Sequence, residues 1–269
     1  MRDEELITLL AWAMPRLGLS WPAFRRFRGT IRKRLGRRLA ELGLGDLAAY
    51  RRRLEADDAE WPCLDAMCRI TISRLFRDGA VFDALAASVL PSRARAARDA
   101  GRSTVRAWSA GCASGEEPYT VAMEWALDVA PEYPTVGLEL VATDVDEALL
   151  ERARHGSFGR GSLRELPPRY AKACLTPDGG ALRVGDEIRS LVTFLRQDLR
   201  VEAPDGPFDL VLCRNLAFTY FEPALQRRVA ERLVARIAPG GTLVLGRGEA
   251  LPDALPGVTA TGPWMYARA

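Results

Sequence analysis

The 269-residue sequence predicts an α/β protein: a doubly wound, mostly parallel Rossmann-like sheet, preceded by an all-α helical domain. Three observations carry this. From Val105 onward, short apolar runs alternate with helical patterns, as in successive βαβ units. Before that point apolar residues recur at helical spacing. With 48% hydrophobic and 27% charged residues the chain can fill a full core, and disorder is excluded as its main theme.

Residues 3–14 and 22–54 read as helices, with Leu35, Leu39 and Leu42 and then Leu44, Leu47 and Leu54 at apolar positions. Gly43 and Gly45 punctuate them, and Asp46 is placed to cap the next helix. Residues 61–90 continue in helical style, with Pro91 as a stop. The expected domains are a helical domain over 1–90, a linker over 91–103 and a sheet domain over 104–269. Strands are expected at 105–110, 138–143, 191–195, 208–213 and 241–245, with helices near 116–130, 146–154 and 223–237. Trp264 and Tyr266 fall on a last strand, and 156–190 reads as a small inserted subdomain. Trp12, Trp21, Trp61 and Trp125 are expected to pack in cores.

Composition narrows the function. A single histidine, His155, excludes Ser-His-Asp chemistry and His-rich metal sites, so no metal is expected; it reads as a cation at a helix C-terminus. The five cysteines form no CxxC pair and read as reduced thiols of a cytoplasmic protein. Apolar runs such as 243–246 are too short to enter a bilayer, and acids stand at 3–5 where a signal peptide needs a basic start. Net charge is +3, yet segment 25–53 holds eleven basic and two acidic residues, about +9, leaving about −6 elsewhere. Those arginines either cover apolar helix faces or form a patch for an acidic partner. A nucleic-acid partner is disfavoured, because no aromatic residues interleave with the basic ones in a recognised motif.

Ligands of such sheets sit at the carboxyl ends of the strands. After the first strand comes Ala110-Gly-Cys-Ala-Ser-Gly-Glu116-Glu-Pro-Tyr119, a small-residue turn into a helix that lacks the lysine of a phosphate loop. Its two glutamates would repel a pyrophosphate and suit a ligand with a positive amino group. After the second strand, Asp144 is placed to accept hydrogen bonds from two ribose hydroxyls, while Asp146 suits helix capping. After the third, Gln197-Asp198-Leu199 offers a polar group to an adenine amine beside an apolar wall. After the fourth, Arg214 and Asn215 stand at the strand mouth, with aromatics beyond. Together these fit a nucleoside with a charged amino-acid tail, which describes S-adenosyl-L-methionine.

The sequence also resembles the CheR-type chemotaxis receptor methyltransferases almost end to end. The helical stretch 34–50 is similar to the family's N-terminal domain, and 71–77 (Thr-Ile-Ser-Arg-Leu-Phe-Arg) to its N-x-T-x-F-F-R loop. Residues 109–120 resemble S-A-x-x-S-x-G-E-E-P-Y-S, 143–146 resemble S-D-I-D, and 208–215 resemble F-D-x-I-x-C-R-N. The resemblance implies that Glu116, with backbone around Ala110, holds the amino end of S-adenosylmethionine and that Asp144 binds its ribose. It implies that Asp198 takes the adenine-reading place with Leu199 beside it, and that Arg214 and Asn215 line the pocket. Thr71, Ser73 and Arg77 would close over the cofactor from the N-terminal domain, Arg77 near the reacting sulfur and Tyr220 beside the transferred methyl. Three differences bear on the acceptor. Thr71 replaces an Asn, segment 215–220 is one residue longer, which offers Thr219 as well as Tyr220, and 246–249 reads G-R-G-E for G-H-S-E.

The implied activity is methyl transfer to a glutamate carboxylate of an acidic protein such as a chemoreceptor methylation helix, yielding S-adenosyl-L-homocysteine. A carboxylate is already ionised at neutral pH, so no general base is needed. The alternatives are a methyltransferase of this fold acting on a small molecule or other protein, and a non-catalytic module that binds the cofactor or its demethylated product.

Overall fold

The computed structural model describes residues 2–253 and 255–269. The chain divides into two compact units, Met1–Ile72 with Thr219–Leu225, and Ser73–Phe218 with Gln226–Ala269.

The first unit is helical: α1 (Asp3–Ala13), α2 (Trp21–Phe24), α3 (Arg28–Glu41), α4 (Leu47–Ala56) and α5 (Glu60–Cys68). Helix α3 buries Ile31, Leu35 and Leu39, one per turn, and leaves Lys33 and Arg37 exposed on other faces. Asp46 caps α4, accepting from Ala49 N at 2.7 Å. The basic residues of this unit differ in their surroundings. Arg38 pairs with the buried Glu60, which also accepts from Tyr50 Oη, and these two donors hold the Glu60 carboxyl below its ordinary range against its burial. Arg16 and Arg51 lie over the ring of Trp12, which packs on Trp61. Lys33 and Arg37 stay in solvent.

The second unit starts with α6 (Gly79–Ala84), which runs through a π-helical turn at 85–89 into α7 (Leu90–Asp99). Pro91 therefore does not stop the helix. It sits in the first turn of α7, where a missing N–H is tolerated, and the wider turn before it has Leu90 N bonding to Leu85 O. The expected linker is α7 itself. Its alanines Ala94 and Ala97 are buried and its arginines lie outside, so the Arg/Ala composition marks an amphipathic helix with a small-residue face.

The sheet elements follow in order: β1 (Thr104–Ala110), α8 (Glu116–Glu124), β2 (Gly137–Asp144), α9 (Glu147–His155), β3 (Ser157–Phe158), α10 (Pro168–Cys174), β4 (Leu175–Asp178), β5 (Ala181–Val184), α11 (Asp186–Arg189), β6 (Val192–Arg196), β7 (Phe208–Cys213), α12 (Ala217–Tyr220), α13 (Pro223–Ala235), β8 (Ile237–Leu245), β9 (Val258–Gly262) and β10 (Met265–Arg268). The seven-stranded sheet has the order β6-β2-β1-β7-β8-β10-β9. Its first five strands are parallel; β10 runs antiparallel to β8, and β9 to β10. From β1 the chain steps outward to β2 and β6, then returns to lay β7 on the other side of β1. The switch point thus lies between β1 and β7. All six residues of β7 are buried, as expected of a central strand covered on both faces.

The inserted segment forms a three-stranded antiparallel sheet, β3-β5-β4, with α10. Phe158, Tyr170, Cys174 and Val184 belong to the same core cluster as Tyr119 and Leu140, so it has no separate core. Leu75 and Phe76 join that cluster too, which places the segment from Ser73 onward in the sheet unit.

Within α8, Glu124 is buried, and one of its carboxylate oxygens has no hydrogen-bond partner among the described residues. Burial, with Asp128 and Asp83 nearby, pushes its carboxyl well above the usual range. An acid raised on folding stabilises fully below its unfolded value, about pH 4.3, and loses that contribution as pH rises through the folded value. Glu124→Gln is therefore expected to raise the melting temperature at pH 8, by roughly 2–4 °C per kcal/mol in a domain of this size, and to change it little at pH 4. Thermal unfolding across pH checks this; an equal shift at both ends would contradict it.

Candidate functional site

The site is built at the carboxyl ends of β6, β2, β1 and β7. The turn after β1 is fixed by Gly111 N and Cys112 N, which both donate to Thr143 O at 2.8 and 2.9 Å. A Cβ on Gly111, at φ +81°, would lie 2.2 Å from Leu216 Cδ2, so only glycine allows this approach between the β1 and β7 loops. Ala110 is buried beside Thr143 in the β1–β2 register. Cys112 and Cys213 are buried thiols pushed well above their ordinary range, inert filler against the site.

Asp144, at the end of β2, joins two turns. Its Oδ2 accepts from Ala113 N and its Oδ1 from Asp146 N, both at 2.9 Å. Asp146 caps α9, accepting from Ala148 N and Leu149 N. Next to Asp144, Gln197 N donates to the Asp144 carbonyl at 3.0 Å. The Gln197 Oε1 is buried with no partner among the described residues. Asp198 is held by Arg200, whose Nε and Nη2 reach its carboxylate at 2.8–3.1 Å while Arg200 N donates to Oδ1 at 2.9 Å. Leu199 is buried, and its carbonyl accepts from Arg232.

The two glutamates opening α8 differ. Glu116 is 1% exposed, and its oxygens accept from Ser114 Oγ at 2.8 Å and Ser162 Oγ at 3.0 Å. The Glu117 side chain keeps 14% exposure and accepts from Ser109 Oγ at 2.7 Å and Arg214 Nη1 at 3.1 Å. Burial pushes the Glu117 carboxyl up, opposed by Arg214 and Ser109.

Arg214 is the hub. Its side chain, 3% exposed, also donates to Arg77 O at 2.8 Å and Asp78 Oδ2 at 3.2 Å, with its guanidinium over the Phe82 ring. Asn215 N donates to Glu249 Oε2, as does Gly246 N, so Glu249 of the G-R-G-E segment pins the β7 loop to the β8 loop. Among the described residues, positive φ at non-glycine positions falls at Phe76, Asp78, Ala113 and Asn215. Asp78 and Asn215 adjoin this hub directly, and such backbone persists only where surroundings hold it.

The structure thus brings Ala110, Glu116, Asp144, Asp198, Leu199, Arg214, Asn215, Ser73 and Arg77 into one unit, with Arg214 contacting the Arg77 backbone. Thr71 and Tyr220 belong to the other unit, where Tyr220 packs on Phe24 and accepts at its carbonyl from Ser20 N. The sequence marks both glutamates and the Gln197-Asp198 pair without separating their members, and it carries no signal for the parts played by Ser162 and Glu249.

Comparison with known proteins fits this geometry. Residues 71–261 match the family described as CheR methyltransferase, SAM binding domain. The chain is 32% identical over 250 residues to the chemotaxis protein methyltransferase of Escherichia coli K12, covering 89% of this chain and 82% of that protein. It is 37% identical over 226 residues to an uncharacterized 104.1 kDa protein of Rhodobacter capsulatus, covering 83% of this chain but only 23% of that protein. Among solved structures it is similar to an S-adenosylmethionine-bound amino pentose methyltransferase from Micromonospora echinaspora, at 21% identity and TM-score 0.35, over 66% of this chain and 58% of that one. The family match and the doubly wound sheet are those of an S-adenosylmethionine-dependent methyltransferase. Within that class, the chain belongs to the CheR methyltransferase family.

The residues fit the cofactor. The site has carboxylates and a buried arginine but no phosphate loop, and the unpartnered Gln197 Oε1 beside Asp144 is an acceptor suited to an exocyclic amine. No helix of the described residues is long and apolar enough to cross a membrane.

Proposed function

We propose that this chain methylates a carboxylate side chain of a protein, a glutamate on an acidic helix. When bound, S-adenosylmethionine supplies an activated methyl on a sulfonium. One observation supports this acceptor above others. The acids of the site are already engaged, Glu116 by two hydroxyls, Glu117 by Ser109 and Arg214, Asp144 by two backbone amides and Asp198 by Arg200. The single histidine lies exposed at the far end of α9, near Asp178. With no base poised to deprotonate an acceptor, an acceptor that arrives ionised is favoured.

In this reading Asp144 takes the ribose hydroxyls, Glu117 the amino group in place of Glu116, and Gln197 the adenine amine in place of Asp198. Arg77 orients the incoming carboxylate. The chain's own work is alignment and exclusion of water. The partner is read as acidic because the first unit keeps Lys33 and Arg37 exposed, and Arg37 lines a groove of about 420 Å³ where three arginines (Arg34, Arg37, Arg38) outnumber one acid, Glu41. The E. coli relative's name, chemotaxis protein methyltransferase, supports a chemoreceptor as that partner.

Labelled methyl transfer to receptor cytoplasmic fragments tests this. Base-labile release of labelled methanol is expected, and Lys33→Glu with Arg37→Glu should raise the KM for the fragment at least about tenfold. Base-stable label would mean another acceptor. Tight S-adenosylhomocysteine binding with no transfer would favour a regulatory module.

A further inference from the structure

We propose that Ser162, in the inserted segment, is a positioning residue for methyl transfer, fastening the strap that carries Arg77 to Glu116. This rests on the reading of Arg77 and its neighbours as the methyl-transfer site. Ser162 faces both ways: its Oγ donates to Glu116 Oε1 at 3.0 Å, and its carbonyl accepts from Leu75 N at 2.9 Å. The next strap amide, Phe76 N, donates to Thr120 Oγ1 at 3.1 Å, and Thr120 Oγ1 donates to the Glu116 carbonyl at 2.7 Å. Two consecutive amides before Arg77 are therefore tied to one buried glutamate, through Ser162 on one side and Thr120 on the other. The same inserted segment holds the strap twice more, by Arg74 with Glu165 at 2.5 Å and by Phe76 against the Tyr170 ring at 4.5 Å.

The strap needs such fastening. Phe76 lies at φ 58°, left-handed backbone that a bulky side chain does not favour, and Asp78 follows at φ 61°. Beyond them Arg214 grips the Arg77 carbonyl and the Asp78 carboxylate. Arg77 thus stands between two clamps, one from β7 and one from the inserted segment. The inserted segment then serves the reaction by setting where Arg77 begins.

The test is calorimetric titration of S-adenosylhomocysteine into the full chain, with steady-state kinetics. Ser162→Ala is expected to weaken binding about fivefold or more. It should raise KM for the methyl donor more than it lowers kcat. Ser162→Thr should restore both, and Ser190→Ala, which removes an exposed hydroxyl bonded to the Glu187 carbonyl, should change neither. Wild-type affinity and KM in Ser162→Ala, or an equal loss in Ser162→Thr, would overturn the proposal. Arg77→Ala separates the two levels. If it leaves transfer intact, the reading of the site falls and the proposal with it; if it abolishes transfer while Ser162→Ala changes nothing, the proposal falls alone.

Discussion

Arg214→Met is expected to abolish methyl transfer and to lower stability by about 3–5 kcal/mol. The side chain is 3% exposed and holds Glu117, Asp78 and the Arg77 carbonyl together. Methionine fills much of its volume but removes the guanidinium from two carboxylates and a carbonyl, leaving Glu117 with Ser109 alone. Unpaired charge in a buried place is one of the few causes of so large a loss. The catalytic loss should exceed the stability loss, because the segment from Arg77 to Asp78 is released at the same time. Arg214→Lys keeps the charge but not the fork that reaches three acceptors, so a folded protein with at least about tenfold less activity is expected. Denaturant unfolding and labelled methyl transfer check both variants. Near wild-type transfer in Arg214→Lys would mean that charge alone matters and that the hub geometry does not.

Asp144→Ala is expected to weaken S-adenosylhomocysteine binding by about 100-fold or more. Two hydrogen bonds to a charged group carry roughly 1.5–3 kcal/mol each. The same carboxylate fixes the Ala113 and Asp146 amides, so the turn after β1 and the turn into α9 both loosen when it is removed. Ala113 is the more vulnerable, because its φ of 51° depends on that bond. Asp144→Asn keeps one acceptor and should fall between the two. Calorimetric titration decides; unchanged affinity in Asp144→Ala would remove this residue from the cofactor site.

Much of the fold was legible because strand and helix periods differ. The five parallel strands lie where short apolar runs predicted them, within a residue or two except at the start of β8, and the Asp46 and Asp146 caps are as expected. What stayed hidden was tertiary in origin. Past Leu90 the buried face of α7 is made of Ala94 and Ala97, which carry little hydrophobic signal, so a packed helix looked like a linker. Pro91 looked like a stop because the π-helical turn that accommodates it leaves no mark in the sequence. The site divides in the same way. Ala110, Asp144 and Arg214 follow directly from strand ends. The difference between Glu116 and Glu117 depends on which serine or arginine each one meets, and Ser162 lies 46 residues from the glutamate it holds.

A crystal structure with S-adenosylhomocysteine bound is the most direct measurement. The ribose hydroxyls are expected within hydrogen-bonding distance of Asp144, the amino group at Glu117 and the adenine amine at Gln197, with Arg214 still gripping the Arg77 carbonyl. A nucleoside seated elsewhere, with Asp144 and Glu117 making only the bonds they make now, would contradict the site at the β1–β7 switch point.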